Sequence, residues 1–151
     1  MKYFYWLLMI FFSFLLQGHI SVLGVSPNLS VLLVYYAGIR HGEIKGMLAG
    51  VLIGSLEDIM SLSLLGPNLL SKGIIGFSSA FFVTGGLFRW TPLLGIIAVL
   101  LLTFLDNSMT FLTLSLFDKV PAAVSNALFI SLMQSLLNAP AGIFIRPEHA
   151  D

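Results

Sequence analysis

Long apolar stretches separated by short polar breaks divide the chain into six segments. A membrane-spanning helix needs roughly 20 mostly apolar residues, and all segments but the second approach that length. Their predicted bounds are 3–23, 29–39, 44–62, 68–88, 93–117 and 122–145. The pattern predicts an all-α integral membrane protein, a single polytopic domain over residues 1–151 folded as a compact bundle of about six transmembrane helices.

Composition supports this interpretation independently. Hydrophobic residues make up 58% of the chain and charged residues 9%, and the mean hydropathy is +1.00. The net charge is zero and there is no basic patch, so nucleic acid is not an expected partner. The absence of cysteine excludes disulfides and thiolate metal sites.

The distribution of basic residues predicts the orientation, because short cytoplasmic loops retain lysine and arginine. With the N-terminus inside, most basic residues fall on the cytoplasmic side, while Lys72 and Lys119 do not. Six crossings return the C-terminus to the cytoplasm. The first segment is expected to be a retained helix, since no small-x-small cleavage site follows it. The basic residues assigned to the cytoplasmic side are Lys2, Arg40, Lys45, Arg89 and Arg146.

Glycines recur at four-residue intervals from residue 42, just before the third segment, to residue 54 within it. Four residues are slightly more than one helical turn, so these glycines form one nearly continuous groove along a helix. In a soluble helix each would cost about 1 kcal/mol relative to alanine. In a bilayer, such spacing lets a neighbouring backbone approach closely, and it predicts tight helix packing inside the protein. The members of this glycine ladder are Gly42, Gly46, Gly50 and Gly54.

An acidic pair, Glu57 and Asp58, follows the ladder. A charged side chain at bilayer depth is costly and needs a partner. The third and fourth segments are expected to form an antiparallel hairpin, which would bring Asp58 level with Lys72 and allow an ion pair. The alternative is that both acids and the lysine reach interfacial water.

Two polar stripes occupy the last two segments at helical spacing, and they are expected to hydrogen-bond to each other across an interface. The first contains Thr103, Asp106 or Asn107, Thr110 and Thr113, and the second contains Ser131, Gln134, Ser135 and Asn138. Asp106 and Asn107, like the acidic doublet, are interpreted as packing or partner contacts in preference to relics of a ligand site.

Residues 27–77 contain, in order, PNLSVLLVYYAGIRHG, the GxxxGxxxGxxxG ladder, LEDIMS and LLGPNLLSKGIIGF. This ordered combination resembles MreD, the rod shape-determining membrane protein family of bacteria. The family's matching elements here would be Gly46, Gly50, Gly54, Asp58, Gly66 and Asn68. Helix packing is assigned to Gly42, Gly46, Gly50, Gly54, Gly66 and Gly76, and the buried polar set is Glu57, Asp58, Asn68, Lys72, Asp106, Asn107, Gln134 and Asn138.

The resemblance implies a non-enzymatic subunit of the cell-elongation machinery in the bacterial cytoplasmic membrane. Such a subunit partners MreC and works with the MreB cytoskeleton, RodA and a class-B penicillin-binding protein in peptidoglycan synthesis. MreD-like proteins are also similar in fold to the substrate-binding subunits of energy-coupling-factor vitamin transporters. This gives an alternative function, a small-ligand-binding subunit with a pocket lined by Asp58, Lys72, Asp106 and Asn107.

The third hypothesis is an intramembrane enzyme, which the motifs do not favour. No G-x-S-x-G motif is present, and no histidine is placed to act as a base. The three histidines lie on different segments, so spacing predicts no metal site, and the glycine-rich stretches lack the lysine of a phosphate loop. We therefore expect no catalytic residues, cofactor or metal.

Overall fold

Helices form the regular structure of the chain in a computed structural model that describes residues 2–62, 64–84, 90–117, 119 and 123–147. The elements are α1 (Lys2–His19), α2 (Leu29–His41), α3 (Glu43–Met60), α4 (Pro67–Ser79), α5 (Phe81–Thr84), α6 (Pro92–Leu116), α7 (Val124–Asn138) and a closing 3₁₀ helix (Ala139–Ile143). Outside the helices, Val22 and Val25 form an isolated bridge within a loop. The prediction of an all-α fold is confirmed for the described residues.

The helices differ from the predicted segments mainly at their ends. α1 stops at His19, and a turn follows in which Leu23 and Gly24 take φ values of 54° and 77°. The fourth predicted segment is divided, because α4 ends at Ser79 and a separate short helix, α5, follows it. Parts of the predictions lie outside the described residues: positions 85–89 at the end of the fourth segment, position 122 at the start of the sixth, and positions 148–151 in the C-terminal tail.

The loop between α1 and α2 enters the protein interior. Val25 and Asn28 are 4% and 6% exposed, and Asn28 caps α2 by accepting a hydrogen bond from the Val31 amide. The Asn28 side chain also reaches Asp106, near the middle of α6. The first turn of α2 therefore lies beside the centre of α6.

The hydrophobic core lies where α2, α3, α4 and α6 meet. Helix α2 supplies the largest share, and α3 and α4 contribute one buried isoleucine each. The buried cluster contains Val31, Leu33, Val34, Tyr35, Ile39, Ile53, Ile75, Ala98, Val99 and Leu102. This core holds together the four helices that carry the charged residues described below.

Among the described helices, α6 alone is long and apolar enough to cross a membrane by length and composition. Helices α2 and α4 have 13 residues each and α7 has 15, so at 1.5 Å per residue they are shorter than a bilayer core of about 30 Å. Helix α3 has 18 residues but includes Glu43, Lys45, Glu57 and Asp58.

Candidate functional site

Three ladder glycines bring the backbones of α3 and α4 into contact. A Cβ atom added at any of them would overlap a carbonyl group of α4. The overlapping pairs are Gly46 with Gly76, Gly50 with Lys72, and Gly54 with Asn68. The contact is reciprocal at one end, because a Cβ atom at Gly76 would overlap the Gly46 carbonyl.

Gly42 and Gly66, which were predicted to pack helices, have another role. Gly42 links α2 to α3 with φ +87°, and Gly66 precedes α4 with φ +138°. A Cβ atom at either position would meet nothing within 4 Å. Their backbone conformation requires glycine at these two positions, because positive φ is strained for residues with a side chain.

Lys72 is the centre of a buried polar cluster. Its side chain is 1% exposed, and its Nζ lies 2.5 Å from Glu57 Oε2 and 3.1 Å from Asp106 Oδ2. Asn68 Oδ1 lies 3.5 Å away as a third acceptor. We call this cluster the Lys72 network; it comprises Asn28, Ser30, Glu57, Asn68, Ser71, Lys72 and Asp106.

Asp58 does not pair with Lys72, and the predicted ion pair is wrong. Its Oδ2 accepts hydrogen bonds from the Gly66 and Leu69 amides at 2.8 and 3.0 Å. Its Oδ1 accepts from the Asn68 amide and from Asn68 Nδ2 at 3.1 and 2.9 Å. Asp58, 2% exposed, thus binds the N-terminus of α4, where free amides and the helix dipole stabilise a carboxylate.

Asp106 joins three helices from its position on α6. Its Oδ1 accepts from Ser71 Oγ at 2.7 Å, and its Oδ2 accepts from Asn28 Nδ2 at 3.0 Å in addition to Lys72. The carboxylate therefore has two neutral donors and one cation. Because it is 1% exposed, its charge depends on these partners.

Ser30 connects α2 to the same network. Its Oγ lies 2.7 Å from Asn28 Oδ1 and 2.5 Å from Glu57 Oε1. Glu57 consequently contacts Ser30 with one oxygen and Lys72 with the other. Its side chain is 13% exposed, whereas Lys72 and Asp106 are 1% exposed.

The two polar stripes meet directly at one described contact. Asn138 Nδ2 donates to Thr103 Oγ1 at 3.2 Å and to the Asn28 carbonyl at 2.8 Å. Gln134 instead donates to the carbonyl of Ser26 at 2.8 Å, and Ser135 donates to the Ser131 carbonyl of its own helix. The expected stripe-to-stripe interface is therefore replaced over most of its length by bonds to α4, to the α1–α2 loop and within helices.

The predicted buried polar residues differ in their degree of burial. Asp58, Lys72, Asp106 and Asn138 are buried, with 1–2% exposure. The other four are partly buried: Glu57, Asn68, Asn107 and Gln134. Asn107 accepts from Asn28 Nδ2 at 3.4 Å, while its own Nδ2 has no hydrogen-bond partner among the described residues.

Two open grooves on the surface are lined by none of the charged members of the Lys72 network. The larger, of about 550 Å³, runs between α1 and α3 and is lined by apolar side chains such as Phe14 and Leu56, with His19 at its polar end. The smaller, of about 380 Å³, lies between α3 and α4 and has only apolar and glycine lining. Neither is lined by the residues expected for a ligand pocket: Asp58, Lys72, Asp106 and Asn107.

In the described part of the chain, no group of three or more His, Asp or Glu side chains is placed to hold a metal ion. His19 bonds the carbonyl of Leu15, and the ring of His41 contacts that of Trp6 at 5.9 Å between centroids. His149 lies outside the described residues.

Sequence reasoning missed several residues that build the site. Asn28 belongs to a Pro-Asn-Leu triplet at residues 27–29 that recurs at residues 67–69, but the triplet alone does not indicate a partner for the asparagine. Both triplets stand at helix starts, and both asparagine amides donate to a buried carboxylate, Asp106 and Asp58 respectively. Ser30 and Ser71 were not predicted either, because a lone serine in an apolar helix carries no spacing pattern.

Comparison with protein families, with curated proteins and with solved structures gives no match. A proposal of function therefore depends on the resemblance carried by residues 27–77 and on the burial and contacts of the described residues.

Proposed function

We propose that the chain is a non-enzymatic scaffold subunit of the bacterial cell-elongation complex, an MreD-like multi-pass protein of the cytoplasmic membrane that binds MreC. In this proposal it supports lateral-wall peptidoglycan synthesis together with RodA, a class-B penicillin-binding protein and the MreB cytoskeleton. The single observation that carries the scaffold role is that the buried charged groups have their partners within the protein: Lys72 binds Glu57 and Asp106, and Asp58 binds N–H groups at the start of α4.

The distribution of side chains supports placement in a membrane. Charged and polar groups such as Lys72, Asp58 and Asp106 are buried, while most large hydrophobic side chains of the described residues are exposed. Exposed examples include Leu52 at 64%, Leu112 at 62% and Phe129 at 53%. A soluble monomer rarely exposes an apolar surface of this extent, whereas lipid-facing helices do.

Basic residues at the helix ends support the orientation. Arg40 lies over the ring of Tyr36 at 5.3 Å, next to the turn that joins α2 and α3. Arg146 lies over the ring of Trp90 at 5.6 Å, just before α6 begins. Arginine beside aromatic rings at helix ends is typical of the membrane interface, and the positive-inside rule assigns these ends to the cytoplasm.

The contacts of the Lys72 network favour the scaffold over a transporter subunit. A ligand pocket built from Asp58, Lys72, Asp106 and Asn107 would need several polar atoms that are free to bind, and of these four residues Asn107 alone has a side-chain atom, Nδ2, with no partner among the described residues. Asp58 instead has four N–H donors, and each oxygen of Asp106 has at least one donor. What the chain offers to others is its apolar outer helix surface, which fits the membrane helix of a single-span partner.

The test is co-purification of the tagged full-length chain with co-expressed MreC. We expect MreC to co-elute in detergent. Because the chain has no cysteine, single cysteines can map the contact: Leu16→Cys on α1 and Leu132→Cys on α7 replace exposed side chains, and Ala98→Cys is the buried control.

The scaffold predicts crosslinks to the MreC membrane helix from at least one exposed position and none from position 98. The transporter alternative would be supported if MreC did not co-elute and the chain instead co-eluted with an ATPase module or retained a vitamin-like small molecule.

A further inference from the structure

Ser30 stands between two hydrogen-bond acceptors. Its Oγ is 2.5 Å from Glu57 Oε1 and 2.7 Å from Asn28 Oδ1. A serine hydroxyl has one proton to donate. If Glu57 were ionised, that proton could serve only one of the two contacts, and the other would be an oxygen–oxygen approach with no hydrogen between.

The orientation of the Asn28 amide is determined by its other contacts. Its Nδ2 faces Asp106 Oδ2 at 3.0 Å and Asn107 Oδ1 at 3.4 Å, and both of these are acceptors. Its Oδ1 accepts from the Val31 amide. Rotating the amide by 180° would place oxygen against the Asp106 carboxylate, so Asn28 Oδ1 must be the atom that faces Ser30.

The charge balance of the network points the same way. Lys72 supplies one positive charge to two carboxyl groups, Glu57 and Asp106. Asp58, next to Glu57 on α3, is compensated separately at the N-terminus of α4. Ser30 on α2 and Lys72 on α4 contact Glu57, while Asp106 on α6 contacts Lys72. On α1, His19 is bonded to Leu15.

We propose that Glu57 is a neutral carboxylic acid in the folded protein and that the Lys72 network is a binding site for one exchangeable proton. The proton sits on Glu57 Oε1 and is donated to Ser30 Oγ, and Ser30 donates its own proton to Asn28 Oδ1. Glu57 Oε2 remains free to accept from Lys72. Every contact then has one hydrogen, and the Lys72, Glu57 and Asp106 charges sum to zero.

Glu57 lies nearer the protein surface than its two charged partners, and loss of its proton has a structural consequence. Glu57 is the most exposed of the three charged members, at 13%, and its α3 neighbours Leu56 and Met60 line the α1–α3 groove. When the proton leaves, Ser30 must turn its hydrogen to Glu57. Asn28, the cap of α2, then loses a donor, so release weakens the start of α2.

The experiment is infrared spectroscopy of the full-length chain at neutral pH in a detergent without ester groups, whose carbonyls would interfere. We expect the carbonyl band of a protonated carboxylic acid, shifted in D₂O. The band should vanish in Glu57→Gln and persist in Glu43→Gln, the control on the first turn of the same helix. Absence of the band in the unmodified chain, or its persistence in Glu57→Gln, would overturn the proposal.

Thermal unfolding gives a second readout. The glutamine amide donates and accepts as a neutral acid does, so Glu57→Gln should keep the apparent Tm within about 2 °C, while Asp106→Asn, which removes the remaining counter-charge of Lys72, should lower it by at least about 6 °C. Equal losses in both variants would assign Glu57 a negative charge and contradict the proposal.

Discussion

The α3–α4 pair and the α6–α7 pair are joined in different ways. In the first, glycines at three successive turns place the two backbones in contact. In the second, Asn138 at the end of α7 and Thr103 in the middle of α6 form a direct polar bond, while Leu116 at the end of α6 and Val124 at the start of α7 are 83% and 62% exposed. Regularly spaced glycines thus predict a helix interface better than regularly spaced polar side chains do.

The reason is geometric. A groove of glycines can be filled closely only by another backbone running along it, so spacing alone indicates the partner and its course. A polar side chain needs only one donor or acceptor, which a loop can supply as well as a helix. Gln134 illustrates this freedom, since it bonds the carbonyl of Ser26 in the α1–α2 loop.

The largest expected effect comes from filling the glycine groove. Gly50→Leu places a side chain where the backbone carbonyl oxygen and carbon of Lys72 lie. The helices must separate, and we expect a loss of more than about 3 kcal/mol, at the upper end of overpacking effects, with a lower yield and Tm in detergent. Gly18→Leu on α1 is the control, because its added Cβ meets nothing within 4 Å.

An unchanged Tm for Gly50→Leu would contradict the close contact of α3 with α4. If folding were unchanged and MreC binding were selectively lost, the glycine groove would belong to an external interface.

A smaller loss is expected from Asp58→Asn, which keeps the shape of the side chain. One carboxylate oxygen becomes an NH₂ group, so two of the four N–H donors at the start of α4 lose their acceptor. We expect a loss of about 2–3 kcal/mol, measured by thermal unfolding. Glu43→Gln, outside this contact, should leave the Tm unchanged; equal effects of the two changes would show that Asp58 does not stabilise α4.

Sequence reasoning predicted the elements that depend on local periodicity. The all-α class, the glycine spacing from Gly46 to Gly54 and the antiparallel arrangement of the third and fourth segments required only residues close together in the chain. The same reasoning placed Asp58 level with Lys72 but could not say which way it faces. Successive helical residues point about 100° apart, and here Glu57 faces Lys72 while Asp58 faces the start of α4.

Contacts between isolated residues were beyond reach for a different reason. Gly95 and Gly142 bring α6 against the closing 3₁₀ helix as closely as the ladder brings α3 against α4. Neither belongs to a repeat, so no pattern identifies them. Asn28 was equally hidden, because its role depends on how deeply the α1–α2 loop enters the protein, and burial of an irregular segment has no periodic signature.

The smallest expected effect separates the two ends of the α6–α7 pair. Asn138→Ala removes the donor to the Asn28 carbonyl and to Thr103 Oγ1, so we expect a loss of about 1–2 kcal/mol in thermal unfolding. Thr113→Val is the matched change in the outer half of α6, where the hydroxyl bonds the Met109 carbonyl of its own helix. It should alter stability by less than about 0.5 kcal/mol. A larger loss at Thr113 than at Asn138 would mean that the outer halves of α6 and α7 hold the pair together, and that the polar stripes do form the interface their spacing predicts.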